Sequence, residues 1–254
     1  MKIAVVQHDI VWEDPEANFE HLAPLVANAA GAGARLALLS ETYSTGFSNN
    51  IEKVAEREGG PSSQFIVEQA RAHGMWVGGS CPEIPDDDER PYNTFVLAGP
   101  DGTVHRYRKI HPFTYAGEDR YYRGGRQFVT VDVEGLRCTM FICYDLRFAD
   151  EWWQVARDTD VYLCPANWPE ARRTHWQALL HARAIENQAY VVASNRVGEG
   201  NGLPYSGDSR IIDPLGEILA AGSRTEALLV AEVSAEHVAD VRDRFRFMQD
   251  RRTG

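Results

Sequence analysis

Short apolar runs alternate with amphipathic segments along almost the whole chain. The apolar runs have the length and the Val, Ile and Leu content of β-strands, whereas the longer segments between them carry apolar residues at helical spacing. The pattern predicts strands over 2–7, 35–40, 75–81, 92–98, 103–108, 127–133, 136–142, 160–165, 189–195, 208–213, 217–220 and 226–233. It predicts helices over 17–30, 62–73, 147–157 and 172–187, and a final helix from about 235.

The connections between these elements predict an α/β fold with mixed sheets. Some strands are joined through helices, as parallel strands require, and others are joined by tight turns such as Pro100–Gly102 and Glu134–Gly135. Two mixed sheets that pack face to face, with helices outside both, satisfy this pattern. Because 254 residues suit one large domain and no linker-like segment interrupts them, we predict a single domain over 1–254.

The charge and hydropathy of the chain exclude several partners. A formal net charge of −11 and a pI near 5.2 argue against nucleic acid, which normally requires a basic surface. The Arg-rich run 242–252 is mixed with Asp and predicts a solvated helix face. No apolar segment approaches the roughly 20 residues that cross a bilayer, and the apolar start is too short for a signal peptide. We therefore predict a cytoplasmic protein with no nucleic-acid or membrane partner.

The cysteines and histidines do not form a recognisable metal motif. The spacing of the cysteines indicates neither paired disulfides nor a zinc knuckle, and buried thiols in a reducing cytoplasm explain them better. His175 and His181 are six positions apart, so they leave their helix on different faces. Gly31 and Gly33 close a helix, whereas a dinucleotide site needs glycines that open one. We predict no metal and no organic cofactor.

Three reactive side chains each follow a predicted strand. Glu41 comes after the strand 35–40, Lys109 after 103–108, and Cys143 after 136–142 and before a helix. A strand that turns sharply into a helix exposes the side chain at the corner and directs backbone N–H groups towards it, which favours a thiolate. Taken singly, each residue is ordinary in its position. Together they predict one site with a thiol nucleophile, a carboxylate and an ammonium.

The residues around these three positions resemble a known family. The segments Leu38–Tyr43, Tyr107–Phe113 and Cys143–Phe148 resemble the three signature blocks of the nitrilase-type carbon–nitrogen hydrolases, in the same order and with similar spacing. The resemblance extends over essentially the whole chain. Within the family the chain resembles the ω-amidases, through Cys143–Phe148 and through the segments 166–169, 195–198 and 205–209. Ala149 departs from the pattern, because many relatives carry proline there.

The resemblance implies roles for individual residues. It makes Cys143 the nucleophile, Glu41 the general base and Lys109 the cation that stabilises the oxyanion together with the backbone N–H of Tyr144. Glu118 matches a second glutamate that is seen in many relatives. The resemblance also implies a four-layer α-β-β-α sandwich that forms a homodimer, and a reaction without a metal or an organic cofactor.

The substrate that the resemblance implies is a small carboxylated amide such as 2-oxoglutaramate. Its carboxylate needs a cation, for which Arg172 is the first candidate, since arginine can bind a carboxylate through two hydrogen bonds. Phe113, Tyr115 and Trp168 are candidates for the walls of the site. A nitrilase or an N-carbamoyl amidohydrolase would use the same three reactive residues. A non-catalytic binding or assembly module with the same fold is a further alternative, against which the intact reactive residues argue.

Overall fold

Two seven-stranded mixed sheets form the centre of the molecule. The computed structural model describes residues 1–252. The first sheet contains β1 (Lys2–Gln7), β2 (Leu36–Leu38), β3 (Glu56–Arg57), β4 (Trp76–Ile84), β5 (Tyr92–Ala98), β6 (Val104–Arg108) and β14 (Ala227–Glu232). The second contains β7 (Thr130–Val133), β8 (Leu136–Met140), β9 (Val161–Ala166), β10 (Tyr190–Asn195), β11 (Val197–Gly200), β12 (Leu203–Ile212) and β13 (Ile218–Ser223).

Each sheet mixes parallel and antiparallel pairs. The first sheet runs in the order β14-β1-β2-β4-β5-β6, with β3 beside β4, and its central pairs β1–β2 and β2–β4 are parallel. The second runs in the order β11-β12-β10-β9-β8-β7, with β13 beside β12, and β8–β9 and β9–β10 are parallel. The parallel strands end at the same edge of each sheet, which is where the loops that carry the candidate residues begin.

Helices cover the outer face of both sheets. Their bounds are α1 (Pro15–Gly31), α2 (Ile51–Val54), α3 (Pro61–His73), α4 (Glu118–Tyr121), α5 (Ala149–Val155), α6 (Arg173–Asn187) and α7 (Ala235–Arg244). Apolar side chains of α1 and α3 pack on the first sheet, and those of α5 and α6 pack on the second. This arrangement confirms the predicted α/β class with its four layers.

Strand β1 shows why the central strands have no polar alternation. Ile3 and Val5 enter the cluster between the sheets, whereas Ala4 and Val6 enter the cluster beneath α1 and α3. A strand that is buried on both faces needs apolar residues on both, as in Ile3–Val6, and the polar residues Lys2 and Gln7 stand at its two ends.

Local sequence determines how the helices begin and end. The Asp14 side chain accepts the N–H of Ala17 at 3.1 Å, and Pro15 occupies the first position of α1. Helix α3 also begins with a proline, Pro61, and it ends at Gly74, whose φ of 61° lies in the left-handed region. These signals explain why the predicted helices of the N-terminal half agree with the structure to within a few residues.

Some predicted boundaries were wrong. The predicted helix 147–157 is a 3-10 turn (Cys143–Arg147), the helix α5, and a second 3-10 turn (Ala156–Asp158). Strand β11 was not predicted, because two of its four residues are glycine and it has no apolar alternation. The Arg-rich run was predicted to be a solvated face, yet Arg242 is largely buried. Its guanidinium donates hydrogen bonds to backbone carbonyls at Ala156, Thr159, Asn187 and Gln188.

Two further findings concern membrane-spanning helices and the state of the cysteines. Over residues 1–252, no helix combines the length and the apolar character that crossing a membrane requires. The four cysteines, Cys81, Cys138, Cys143 and Cys164, are all free and buried.

Removal of the Leu180 side chain should destabilise the second layer of helices. Leu180 on α6 is fully buried in the main apolar cluster, so Leu180→Ala should lower the free energy of unfolding by about 2–5 kcal/mol. The measurement is equilibrium denaturation in urea. Ile185→Ala is the matched control, because Ile185 lies on the same helix and is 47% exposed. It should change stability by about 0.5 kcal/mol or less, and equal losses in both variants would contradict the burial of α6.

Candidate active site

Cys143 lies at a sharp turn after strand β8. Ile142 is still extended, with φ of −128° and ψ of 119°, and Cys143 then adopts a φ of 45° and opens the 3-10 turn Cys143–Arg147. A positive φ at a residue with a Cβ costs on the order of 1 kcal/mol, so the surrounding structure must hold it there. The turn places the thiol at the base of a cavity, where the residue is 8% exposed.

The turn also determines which backbone N–H is available near the sulfur. Tyr144 follows as the second residue of the 3-10 turn, where an N–H has no carbonyl partner within the turn. Because Tyr144 lines the same cavity, its N–H is the backbone donor that could stabilise an oxyanion beside Cys143.

Glu41 is fully buried and receives three hydrogen bonds. Its Oε1 accepts the side-chain amide of Asn93 at 2.8 Å and the Lys109 ammonium at 2.9 Å. Its Oε2 accepts the backbone N–H of Asn167 at 2.7 Å. These donors come from both sheets, so the carboxylate orientation depends on the packing of one sheet against the other.

Lys109 is 1% exposed and lies between two carboxylates. Its Nζ is 2.9 Å from Glu41 Oε1 and 2.9 Å from Glu118 Oε2. Burial disfavours the ammonium, but the charges of Glu118 and Glu41 outweigh this and raise the pKa of Lys109 well above its usual value. The lysine is therefore positively charged at neutral pH.

Glu118 is the first residue of the short helix α4 and is buried beside Lys109. The backbone N–H of Phe113 and the side-chain amide of Asn93 also donate to its carboxylate. Burial raises the pKa of Glu118 above its usual value, although the Lys109 ammonium opposes this rise and the Glu41 carboxylate adds to it. The structure thus brings Glu41, Lys109 and Glu118 into direct contact, next to Cys143.

The buried setting of Cys143 opposes the thiolate that the turn was expected to favour. Burial raises the pKa of Cys143 well above its usual value, the Glu41 carboxylate adds to the rise, and the Lys109 ammonium only partly opposes it. The helical segment that begins at Cys143 is a single 3-10 turn, and its small dipole stabilises a thiolate only weakly. Burial and the neighbouring Glu41 carboxyl group therefore both favour the protonated form of the Cys143 thiol.

The cavity above Cys143 is small, and five of its fourteen lining residues are aromatic. Its volume is about 60 Å³, and two guanidinium groups, from Arg147 and Arg172, lie in its wall. Arg147 lies over the Trp168 ring at 4.7 Å, and Arg172 lies over the Phe113 ring at 5.4 Å. The other wall residues are Phe47, Ala116, Tyr144, Asn167, Pro169, Leu203 and Tyr205.

Of the four residues that were candidates for substrate contact, three line the cavity and one does not. Phe113, Trp168 and Arg172 line the cavity. Tyr115 does not line it in the described part of the chain and is 86% exposed, so its assignment as a wall was wrong. The 3-10 turn Thr114–Ala116 directs its side chain outwards, against the outer side of Phe113.

Several residues of the site were not singled out from the sequence. Arg147 stands four positions after Cys143. Residues at this spacing lie on the same side of a helix, so the spacing could have identified Arg147 as a neighbour of the thiol. Asn93 and Asn167, which orient Glu41, lie at the start of β5 and just after the end of β9. Asn93 falls in a predicted strand and Asn167 in the segment 166–169 that carries the resemblance, but nothing in the sequence indicated that either one contacts Glu41.

One group of side chains within residues 1–252 has the composition of a metal site. Atoms of His111, Asp145 and Glu151 that could bind a metal lie within 4.8 Å of one another. Both ring nitrogens of His111 already face carboxylate oxygens, Nδ1 at 3.1 Å from Asp145 and Nε2 at 3.3 Å from Glu151. This is the geometry of an ion pair, and the absence of a metal or cofactor requirement stays a prediction.

The charges around Cys143 predict that replacement of Glu41 and replacement of Lys109 have opposite effects on the rate at which iodoacetamide labels the thiol. Glu41→Gln removes the carboxylate that raises the pKa of the thiol, so more thiolate should form at pH 7 and iodoacetamide should label Cys143 several-fold faster. Lys109→Met removes the opposing charge and should slow the labelling. The rates are read by mass spectrometry of the Cys143 peptide, and equal rates in the three proteins would contradict this electrostatic arrangement.

Comparisons with known proteins identify the family of the chain. The family model of the carbon–nitrogen hydrolases matches residues 2–243. Omega-amidase YafV of Escherichia coli strain K12 is 36% identical over 252 residues, which cover 98% of this chain and 96% of that protein. The 2-oxoglutaramate amidase of Bacillus subtilis strain 168 is 33% identical over 246 residues, which cover 95% of this chain and 93% of that protein.

A solved structure shares the whole architecture. XC1258 from Xanthomonas campestris, a CN-hydrolase superfamily protein with an arsenic adduct in its active site, superimposes with a TM-score of 0.95. It is 37% identical, and the match covers 100% of this chain and 98% of that one. The predicted family and fold are confirmed by these matches. The chain belongs to the carbon–nitrogen hydrolases of the nitrilase superfamily and is an amidase of that family.

Proposed function

We propose that this amidase is a thiol amidohydrolase that cleaves a small carboxylated amide to an acid and ammonia, as an ω-amidase does. The observation that carries the proposal is the contact of Lys109 with Glu41 and Glu118 beside Cys143, at the base of a cavity that also holds two guanidinium groups. The cavity is too small for a protein substrate, and its walls suit a short aliphatic chain with an anionic end.

The first half of the reaction forms a thioester. Cys143 Sγ attacks the amide carbonyl carbon while Glu41 takes the thiol proton, which matches a resting state with a neutral thiol. The Lys109 ammonium and the Tyr144 N–H stabilise the negative oxygen of the tetrahedral intermediate. A donor of this kind typically lowers the barrier by about 2.7–4 kcal/mol. The C–N bond then breaks, Glu41 returns its proton to the nitrogen, and ammonia leaves.

The second half hydrolyses the thioester. Glu41 takes a proton from water, and the resulting hydroxide attacks the thioester carbonyl in the same oxyanion site. The C–S bond breaks, the acid is released, and the proton returns to the Cys143 thiolate. Glu118 supports both halves indirectly, because its carboxylate keeps Lys109 charged and fixes the position of its Nζ.

The two guanidinium groups of the cavity explain a preference for an anionic substrate. Arg147 and Arg172 stand over aromatic rings of the wall, so their planes are held in place rather than free in solvent. Such groups can bind a carboxylate through paired hydrogen bonds. The names of the E. coli and B. subtilis relatives support a substrate of the 2-oxoglutaramate type for this chain as well.

Other substrates remain alternatives for the same three reactive residues. A nitrile or an N-carbamoyl amino acid would also be attacked by Cys143, and the shape of the cavity determines which of them enters. The homodimer and the cytoplasmic location stay proposals. Four free and buried thiols suit a reducing compartment and support that location.

Ammonia release from a panel of compounds tests the proposed function. The panel contains 2-oxoglutaramate, glutamine, an aliphatic amide, a nitrile and an N-carbamoyl amino acid. We expect release from 2-oxoglutaramate and its complete loss in Cys143→Ala. Cys138→Ala is the matched control, because Cys138 is a buried thiol on the strand that leads to Cys143, and it should retain turnover. Turnover of another member would change the substrate, and release that survives Cys143→Ala would refute the mechanism.

Replacement of the cavity arginines should affect charged and uncharged substrates differently. Arg147→Met and Arg172→Met should each lower kcat/KM for the keto-acid amide by roughly 10- to 100-fold, because each loses a charge-assisted hydrogen bond. An aliphatic amide without a carboxylate should be affected far less. Equal losses for both amides would show that these arginines hold the cavity in shape instead of binding the carboxylate.

A further inference from the structure

Asp145 is a fully buried carboxylate that receives four hydrogen bonds. Its Oδ2 accepts the Tyr107 hydroxyl at 2.8 Å and the backbone N–H of Ile142 at 3.0 Å. Its Oδ1 accepts the backbone N–H of His111 at 2.9 Å and the His111 ring Nδ1 at 3.1 Å. The carboxylate does not line the cavity among the described residues, so its role is exerted through other groups.

The partners of Asp145 lie on both sides of two proposed catalytic residues. Tyr107 and His111 stand two positions before and two positions after Lys109. Ile142 precedes Cys143 directly, and Asp145 itself follows two positions later. One carboxylate therefore joins the segment that carries the ammonium to the turn that carries the nucleophile and the Tyr144 N–H. This connection fixes the two segments relative to each other.

His111 links this carboxylate to the surface of the protein. Its ring stacks on Phe148 with a centroid distance of 3.6 Å and an angle of 14°, and its Nε2 lies 3.3 Å from Glu151 on α5. The charged groups around the ring are Asp145 from the 3-10 turn and Asp150 and Glu151 from α5, and the Tyr107 hydroxyl lies beyond Asp145. Carboxylate oxygens of Asp145 and Glu151 face the two ring nitrogens, so the ring is in a position that stabilises an imidazolium.

We propose that Asp145, His111 and Glu151 form a positioning chain, in which the imidazolium of His111 holds the carboxylate that fixes Lys109 relative to Cys143. The proposal rests on the roles given to Lys109 and Cys143 in the proposed function. None of the three residues touches the reacting atoms, so each acts through the segments that Asp145 connects.

The protonation state of His111 determines whether the chain is intact. A neutral ring has one N–H, so its other nitrogen would present a lone pair to a carboxylate oxygen of Asp145 or of Glu151. Partial burial disfavours the charged ring, but the hydrogen bond to Asp145 and the charges of Asp145, Glu151 and Asp150 raise the pKa of His111 above its usual value. The positioning chain is thus complete below the usual histidine pKa, and it is lost as the pH rises through the raised pKa of His111.

The pH dependence of kcat/KM between pH 5.5 and 9.5 tests the proposal. Glu151→Gln removes the carboxylate at Nε2, so the alkaline inflection should move to lower pH by roughly half a unit to one unit. Asp150→Asn is the matched control, because it removes one charge from the same helix turn without removing a contact to the ring, and it should shift the inflection less. His111→Asn keeps an N–H near the Nδ1 position and should remove this inflection.

A second measurement separates this proposal from the proposed function. The titration of His111 in the folded protein can be followed by nitrogen NMR, with His111→Asn used to assign its signals. A His111 pKa above the usual histidine value, with a lower pKa in Glu151→Gln, would support the positioning chain even if no compound of the panel were turned over. A His111 pKa at or below the usual value would overturn the proposal, as would alkaline inflections that coincide in the unchanged protein and in Glu151→Gln.

Discussion

The site depends on an ammonium that is buried between two carboxylates. Transfer of Lys109 from water into the protein would cost several kcal/mol if its charge were unpaired, on the order that is known for buried ions. Glu41 and Glu118 each lie 2.9 Å away and offset this cost. Burial favours the neutral thiol of the neighbouring Cys143, the Glu41 carboxyl group adds to this effect, and the Lys109 ammonium opposes it. The charge of Lys109 therefore depends on its two carboxylate partners, whereas the protonation of the thiol depends mainly on burial.

In the proposed mechanism, the neutral thiol of Cys143 makes the first proton transfer part of the attack on the substrate. The arrangement differs from a cysteine whose thiolate forms in advance beside a cation, because here the sulfur keeps its proton until substrate arrives. The hydrogen bonds that Asn93, Lys109 and Asn167 donate to Glu41 fix the orientation of the carboxyl group that would accept this proton. The labelling of Cys143 in charge variants reports on this balance without any substrate.

The sequence was sufficient to predict that three reactive side chains lie near one another, because each follows a strand of the predicted pattern. Glu41, Lys109 and Cys143 lie after β2, β6 and β8, and their family blocks are local in sequence. The direction of loop side chains was not predictable, because it depends on turns such as Thr114–Ala116, which directs Tyr115 to solvent. The hydrogen bonds from Asn93 and Asn167 to Glu41 also join distant segments. Contacts of this kind arise from tertiary packing and leave no periodic signal along the chain.

The neighbours of strand β1 have a consequence for the synthesis of the protein. Lys2–Gln7 pairs on one side with β2 and on the other with Ala227–Glu232, which follow more than two hundred residues later in the sequence. On the ribosome, β1 therefore emerges long before its second neighbour. Until that neighbour appears, one edge of an apolar strand lacks its hydrogen-bonding partner, and such edges promote association with other chains. The first sheet of the nascent protein therefore cannot be completed until β14 has been translated.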